Sequence, residues 1–118
     1  MNDINSLAAS LSGMIAAAAQ ANAAAANLAN LNTPGYKAIG VQLTPLPNFS
    51  GVAVGRFTTN PFTGPTNPDG QDGSNVDLAG QIVQLDKAGI LYDANAAVIR
   101  GSNRMTGALL DMFAPDQS

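Results

Sequence analysis

Apolar or small residues recur at Ile4, Leu7, Leu11, Met14, Ala18, Ala21, Ala25 and Leu28, in steps that alternate three and four. That spacing is a heptad seam and predicts a helix from residue 4 to about residue 31. Alanine, the strongest helix former, dominates from Ala16 to Ala29. The seam is large at its start, small in its middle and large again at Leu28, so its centre allows close helix approach. The breaker residues Asn30, Asn32, Pro34 and Gly35 end the helix, and Pro34 drives Thr33 out of helical geometry.

A second pattern runs Leu78, Ile82, Leu85, Gly89, Tyr92, Ala96 and Ile99, then slips by one to Val98, Ser102, Met105, Leu109 and Met112. A 3.6-residue period drifts in this way against a 3.5-residue template. It predicts a helix from residue 75 to about 113, capped by Ser74 or Asn75, with Asp77 in the first turn where the dipole favours negative charge. Gly89, Gly101 and Gly107 each cost this helix about 1 kcal/mol relative to alanine. Packing must therefore hold it, and these glycines either admit a close neighbour or loosen the end. Between the helices, residues 38–74 hold most of the proline and glycine. Short alternating pieces at 41–43 and 51–58 fit a small hairpin or extended arms. Pro45, Pro47, Pro61, Pro65 and Pro68 exclude a long central strand, and 60–74 reads as an exposed loop. The expected class is all-α: long N- and C-terminal helices in a coiled-coil-like antiparallel pair, joined by a Pro/Gly-rich loop with a possible small β-hairpin. The expected divisions of this single assembly domain are 1–37, 38–74 and 75–118.

Composition changes this picture in one direction. The chain contains no cysteine, histidine, tryptophan or glutamate. Thiolate and imidazole chemistry, with the zinc, haem and Ser–His–Asp sites that need it, is absent from the residue set. A net charge of −3 with scattered aspartates argues against nucleic-acid binding. Up to Tyr36 the only charged side chain is Asp3, so the first helix lacks the charged outer face of a soluble monomer. Two helices alone cannot bury both apolar surfaces, so a lone copy should be marginal and order further on assembly. The start lacks a basic signal region, and the apolar run 14–19 is too short to span a membrane. Any export is expected to use a route without a cleaved signal.

Candidate chemistry is thin. Asp69 and Asp72 resemble a fragment of a calcium loop, but the closing glutamate is missing and a turn-rich loop is the simpler reading. Gly51 and Gly55 lack the strand–turn–helix context of a dinucleotide site. Asn48-Phe49-Ser50 is a glycosylation sequon by pattern only. Arg100 and Arg104 lie one turn apart, either suiting the helix dipole or meeting an acidic neighbour. Tyr92 reads as a packing anchor. No catalytic residue, cofactor, metal or small-molecule substrate is expected.

The segment Ala26-Asn27-Leu28-Ala29-Asn30-Leu31-Asn32-Thr33-Pro34-Gly35-Tyr36-Lys37, led by Ser12-Gly13-Met14, resembles the N-terminal signature of bacterial flagellar rod, hook and hook-associated axial proteins. Ser74-Asn75-Val76-Asp77-Leu78, Tyr92-x-Ala94-Asn95, Val98-Ile99 and Met105 resemble the same family's C-terminal helix. Departures are Gln81, where many members carry an acid, and Gly89-Ile90-Leu91 before the tyrosine. The resemblance implies a helical tube with the terminal helices inside, and export through the flagellar type III apparatus. The short middle looks like a proximal-rod subunit, placed in the periplasmic basal body. Implied partners are other rod subunits, membrane-ring and export-gate proteins and further copies of the chain, with no nucleic acid and no membrane span. The expected assembly residues are Leu7, Leu11, Met14, Leu28, Ile82, Leu85, Tyr92, Ile99 and Met105. The motif turn is Asn30, Asn32, Thr33, Pro34, Gly35, Tyr36 and Lys37. An adaptor, cap or junction paralogue stays open as the second reading, and a small ligand-binding module or enzyme as the third.

Overall fold

The computed structural model describes residues 2–114; Met1 and the tail 115–118 of the expected C-terminal division lie outside the described residues. Its elements are α1 (Asn2–Ala29), β1 (Ile39–Pro45), a tight turn with non-helical backbone (Pro47–Phe49), β2 (Val52–Thr59) and α2 (Leu78–Phe113). The two helices pack side by side and antiparallel. Gln81 meets Asn27 at one end, and Asn95 meets Gly13 fourteen residues away along each helix. A Cβ on Gly13 would sit 2.7 Å from Asn95 Nδ2, so this glycine sets the closeness of the pair.

The all-α expectation is corrected by β1 and β2, which form a two-stranded antiparallel sheet with a bulge between Val41 and Leu43. The hairpin is a full element because α1 supplies what a two-stranded sheet lacks by itself. Its base docks beside Asn27, and near its tip the Val52 N–H donates to Ser12 Oγ at 3.1 Å. Fifteen residues of helix and seven of strand both measure roughly 23 Å, so the two lie alongside without a gap. Gly51 makes the tip contact possible: it adopts φ +117°, and a Cβ there would collide with Ser12 Oγ.

Among the described residues the buried apolar ones are Ala16, Ala17, Ala23, Ala24 and Ala88, without a single large side chain. The heptad period is present, but on a different face from the one expected. Buried Ser10, Ala17 and Ala24 repeat every seven residues, one position before Leu11, Ala18 and Ala25. One position is about 100° around a helix. The reason is steric: α1 touches both α2 and the hairpin, and only small residues admit two close neighbours. Of the larger residues of α1, Ile4, Leu11 and Ile15 are turned outward, while Leu7, Met14 and Leu28 are half-buried. The result is a thin rod of 77 × 30 × 17 Å with a radius of gyration of 20.5 Å. A compact chain of this length would have about 13.5 Å. Among the described residues no helix is long and apolar enough to cross a membrane.

Candidate assembly site

The motif turn is a closed corner built on amide side chains. α1 ends where the Asn30 side chain donates to the Ala26 carbonyl at 2.8 Å. The Thr33 hydroxyl then donates to Asn30 Oδ1 at 3.0 Å, and the Tyr36 N–H donates to the Thr33 carbonyl at 3.2 Å. Gly35 takes φ +71° and donates its N–H to the Asp72 carbonyl at 2.8 Å, tying the turn to the distant loop. Lys37 Nζ donates to the Phe62 carbonyl at 3.0 Å. Asn32 and Pro34 are exposed.

Asn27 is the centre of the corner and is 1% exposed. Its Nδ2 donates to the Ile39 carbonyl at 2.8 Å and to Gln81 Oε1 at 2.9 Å. Its Oδ1 accepts from the Ile39 N–H at 2.9 Å and the Tyr36 hydroxyl at 3.1 Å. An asparagine side chain has two donors and two acceptor sites, and all four are used. One residue thereby joins α1, the turn, β1 and α2. Asn75 repeats the device on the loop. It accepts from the Ala38 N–H at 2.6 Å and donates to the Asn60 and Phe62 carbonyls at 3.2 and 2.6 Å.

Asn75 is therefore committed to the hairpin and does not cap α2. The helix starts at Leu78 with Asp77 as its N-cap, which makes no side-chain capping bond. Asp77 precedes the first turn rather than lying within it. Arg100 and Arg104 are exposed, and α2 runs on to Phe113, more than two turns beyond Arg104. The dipole reading of these arginines fails at that distance, because the effect is confined to the last turn. Asp69 Oδ1 accepts from the Gln71 N–H at 3.2 Å inside a tight turn with Gly70 at φ +85°. Among the described residues, no group of three or more candidate ligand side chains could hold a metal ion.

The expected assembly residues are not gathered into one core. Leu7, Met14, Leu28 and Ile99 are half-buried, while Leu11, Ile82, Leu85, Tyr92 and Met105 are exposed. Part of the expected seam does converge. Ala18, Ala21, Leu85, Gly89 and Tyr92 line one groove of about 360 Å³, together with Ala17, Ala88 and Asp93. The groove is open to solvent, and nothing lies within 4 Å of a Cβ placed on Gly89, Gly101 or Gly107. Close helix approach is made by Gly13, not by these three. At the other end of the rod, Ile4 and Leu11 on α1 and Met105, Leu109 and Met112 on α2 are exposed stripes.

Residue-type reasoning missed the structural roles of Asn27, Gln81 and Ser12. A signal existed for Asn27: it is an amide three residues after Ala24, on the repeat that the fold buries. Nothing local marks Gln81 as its partner, since the two are 54 residues apart.

The arrangement is thus a thin helix pair with an alanine seam, a sealed polar corner and outward apolar stripes. The residues of α1 and the corner carry a family resemblance as well. Residues 7–37 match the model of the family described as flagella basal body rod protein, so this segment is similar to that family. The matched stretch covers Leu7 through the whole motif turn to Lys37. That family is structural rather than enzymatic. A search of curated proteins gave no match.

Proposed function

We propose that the chain polymerises through its terminal helices as a proximal-rod subunit, part of the shaft that carries torque from motor to hook. The observation that carries this reading is the outward apolar surface. The chain buries alanine methyls, worth about 1 kcal/mol each, and leaves isoleucine, leucine and methionine stripes in water. Fully burying one such side chain is worth about 1.5–3 kcal/mol, so the larger gain is available only between chains. The rod shape supports the same reading, since side-by-side copies present their longest faces to one another. The short hairpin between the helices supports a proximal position, because it adds little width.

In this reading the whole chain acts as one assembly domain, with 1–37 and 75–118 as the axial parts and 38–74 as the spacer. Its neighbours are other rod subunits, the membrane ring and export gate, and its own copies. It reaches the periplasm through the flagellar export route. The test is Leu11→Asp, a substitution at a site 54% exposed in the single chain. The expected result is normal accumulation of protein with loss of rod incorporation and of swimming. Rods that incorporate the variant at the normal level exclude the proposal. The reading as an adaptor, cap or junction protein predicts complete rods in a strain lacking the chain.

A further inference from the structure

Two features of the chain carry a cost without an internal return. Phe49, at the hairpin tip, is 99% exposed. Asn48 and Phe49 both hold positive φ, at 58° and 56°; asparagine visits this region readily, but for a bulky phenylalanine it is strained. The second feature is Gly89, in the middle of a 36-residue helix. Glycine weakens a helix interior, yet a Cβ at Gly89 would meet nothing within 4 Å. The chain forgoes a side chain there and leaves the space unused.

The two features fit each other. Gly89 floors the groove of about 360 Å³ walled by Ala18, Ala21, Leu85 and Tyr92. No hairpin residue lines this groove. Ile39 and Val41 instead line a hollow on the opposite side of the helix pair, with Ala23, Ala24 and Gln81. The tip lies near Asn5 and Ala9, whereas the groove lies roughly 18 Å further along α1. Phe49 therefore cannot reach the groove of its own chain. We propose that Phe49 of one copy seats over Gly89 of a second copy, in a head-to-tail contact that repeats along the assembly. This rests on the polymerisation reading above and adds its contact.

Charge and area identify the occupant. The hairpin, residues 39–59, carries a single charge, Arg56. In a second copy of the same polarity, the step from Phe49 to Arg56 runs toward the corner for roughly 15–20 Å. On α2 the step from Gly89 to Asp77 runs the same way for roughly 18 Å. With Phe49 seated, Arg56 thus arrives level with Asp77. A phenylalanine buries about 150–250 Å², far below the roughly 800 Å² per partner of a stable pair. Such a contact cannot hold two molecules alone. It suits a repeated contact among copies already aligned by their helices, and a heterologous contact of this kind propagates rather than closes.

The chain has no cysteine, so Phe49→Cys and Gly89→Cys can be paired without background. Full-length single variants are mixed under polymerising conditions, oxidised, and resolved without reductant. The expected product is a disulfide-linked dimer from the mixture and a ladder from the double variant. A Thr63→Cys plus Gly89→Cys mixture serves as the baseline. A second measurement uses Gly89→Ala, which should raise the thermal midpoint of the monomer while reducing polymer yield several-fold. Polymers that form without cross-linking above baseline, or a Gly89→Ala chain that polymerises like the wild type, overturn the contact and leave polymerisation standing. A wild-type chain that does not polymerise removes both.

Discussion

The corner and the free end of this rod are finished to different degrees. At the corner, Asn27 makes four side-chain hydrogen bonds and Asn75 three, and the linked elements cannot shift without breaking bonds at 2.6–3.2 Å. At the other end, Met105, Met112 and Phe113 stand 64%, 73% and 84% exposed. The helix register brings the start of α1 level with about Thr106, so the last turns of α2 run on for roughly 10 Å without a helix beside them. One end is completed by the chain itself and the other is left open. Polar satisfaction and apolar burial are thus separated in space. The first specifies the fold of one copy, and the second is available to a neighbour.

This contrast can be broken from either side. The largest effect is expected from Leu109→Asp at the open end. Its monomer should unfold within about 0.5 kcal/mol of the wild type, as surface substitutions do, while pelleting assays show polymer lost altogether. Asn27→Ala should act in the opposite sense. It strands the Ile39 N–H and the Tyr36 hydroxyl, and a buried unsatisfied group costs about 1–3 kcal/mol. Urea unfolding should show a loss of about 3 kcal/mol. Unfolding unchanged in Asn27→Ala would show that the corner is ornamental.

Gly13→Ala sharpens the comparison between the ends, because Gly13 lies between them. Its new methyl meets Asn95, so the variant should lose about 1 kcal/mol despite the better helix propensity of alanine. In an Asn95→Ala background the same change should gain about that amount. A double-mutant cycle that closes to zero rules out the contact. The smallest effect is expected from Ser12→Ala, which removes the acceptor for the Val52 N–H. The hairpin tip should loosen by about 1 kcal/mol, read as faster amide exchange at Val52 with helical content unchanged.

Much of this architecture was legible in the residues. The seam in 4–28 gave a helix ending at the turn, and the second pattern gave α2 to within three residues at its start. Proline placement bounded the hairpin, whose β1 stops at Pro45. The face of α1 that turns inward was not legible. A heptad of large residues and a heptad of small ones run side by side, and a periodicity argument takes the larger. The fold takes the smaller because two elements must approach α1 at once. The hairpin itself was undervalued because residues 38–74 cannot build a core of their own. They do not need one, since α1 provides the surface. The motif turn was legible as a motif, but its chemistry depends on Gln81 and Asp72, and no local pattern ties either residue to the turn.

The four bonds of Asn27 also set an order of events. Its links to Tyr36 and Ile39 span 9 and 12 residues, while its link to Gln81 spans 54. A chain that emerges from its N-terminus first can dock the hairpin on α1 while α2 is still absent. Closing short loops precedes closing long ones, because the entropy of closure rises with loop length. Until Gln81 arrives, one amide proton of Asn27 has only water to bond. The corner therefore acts as a latch that shuts last, and α2 joins a platform already built.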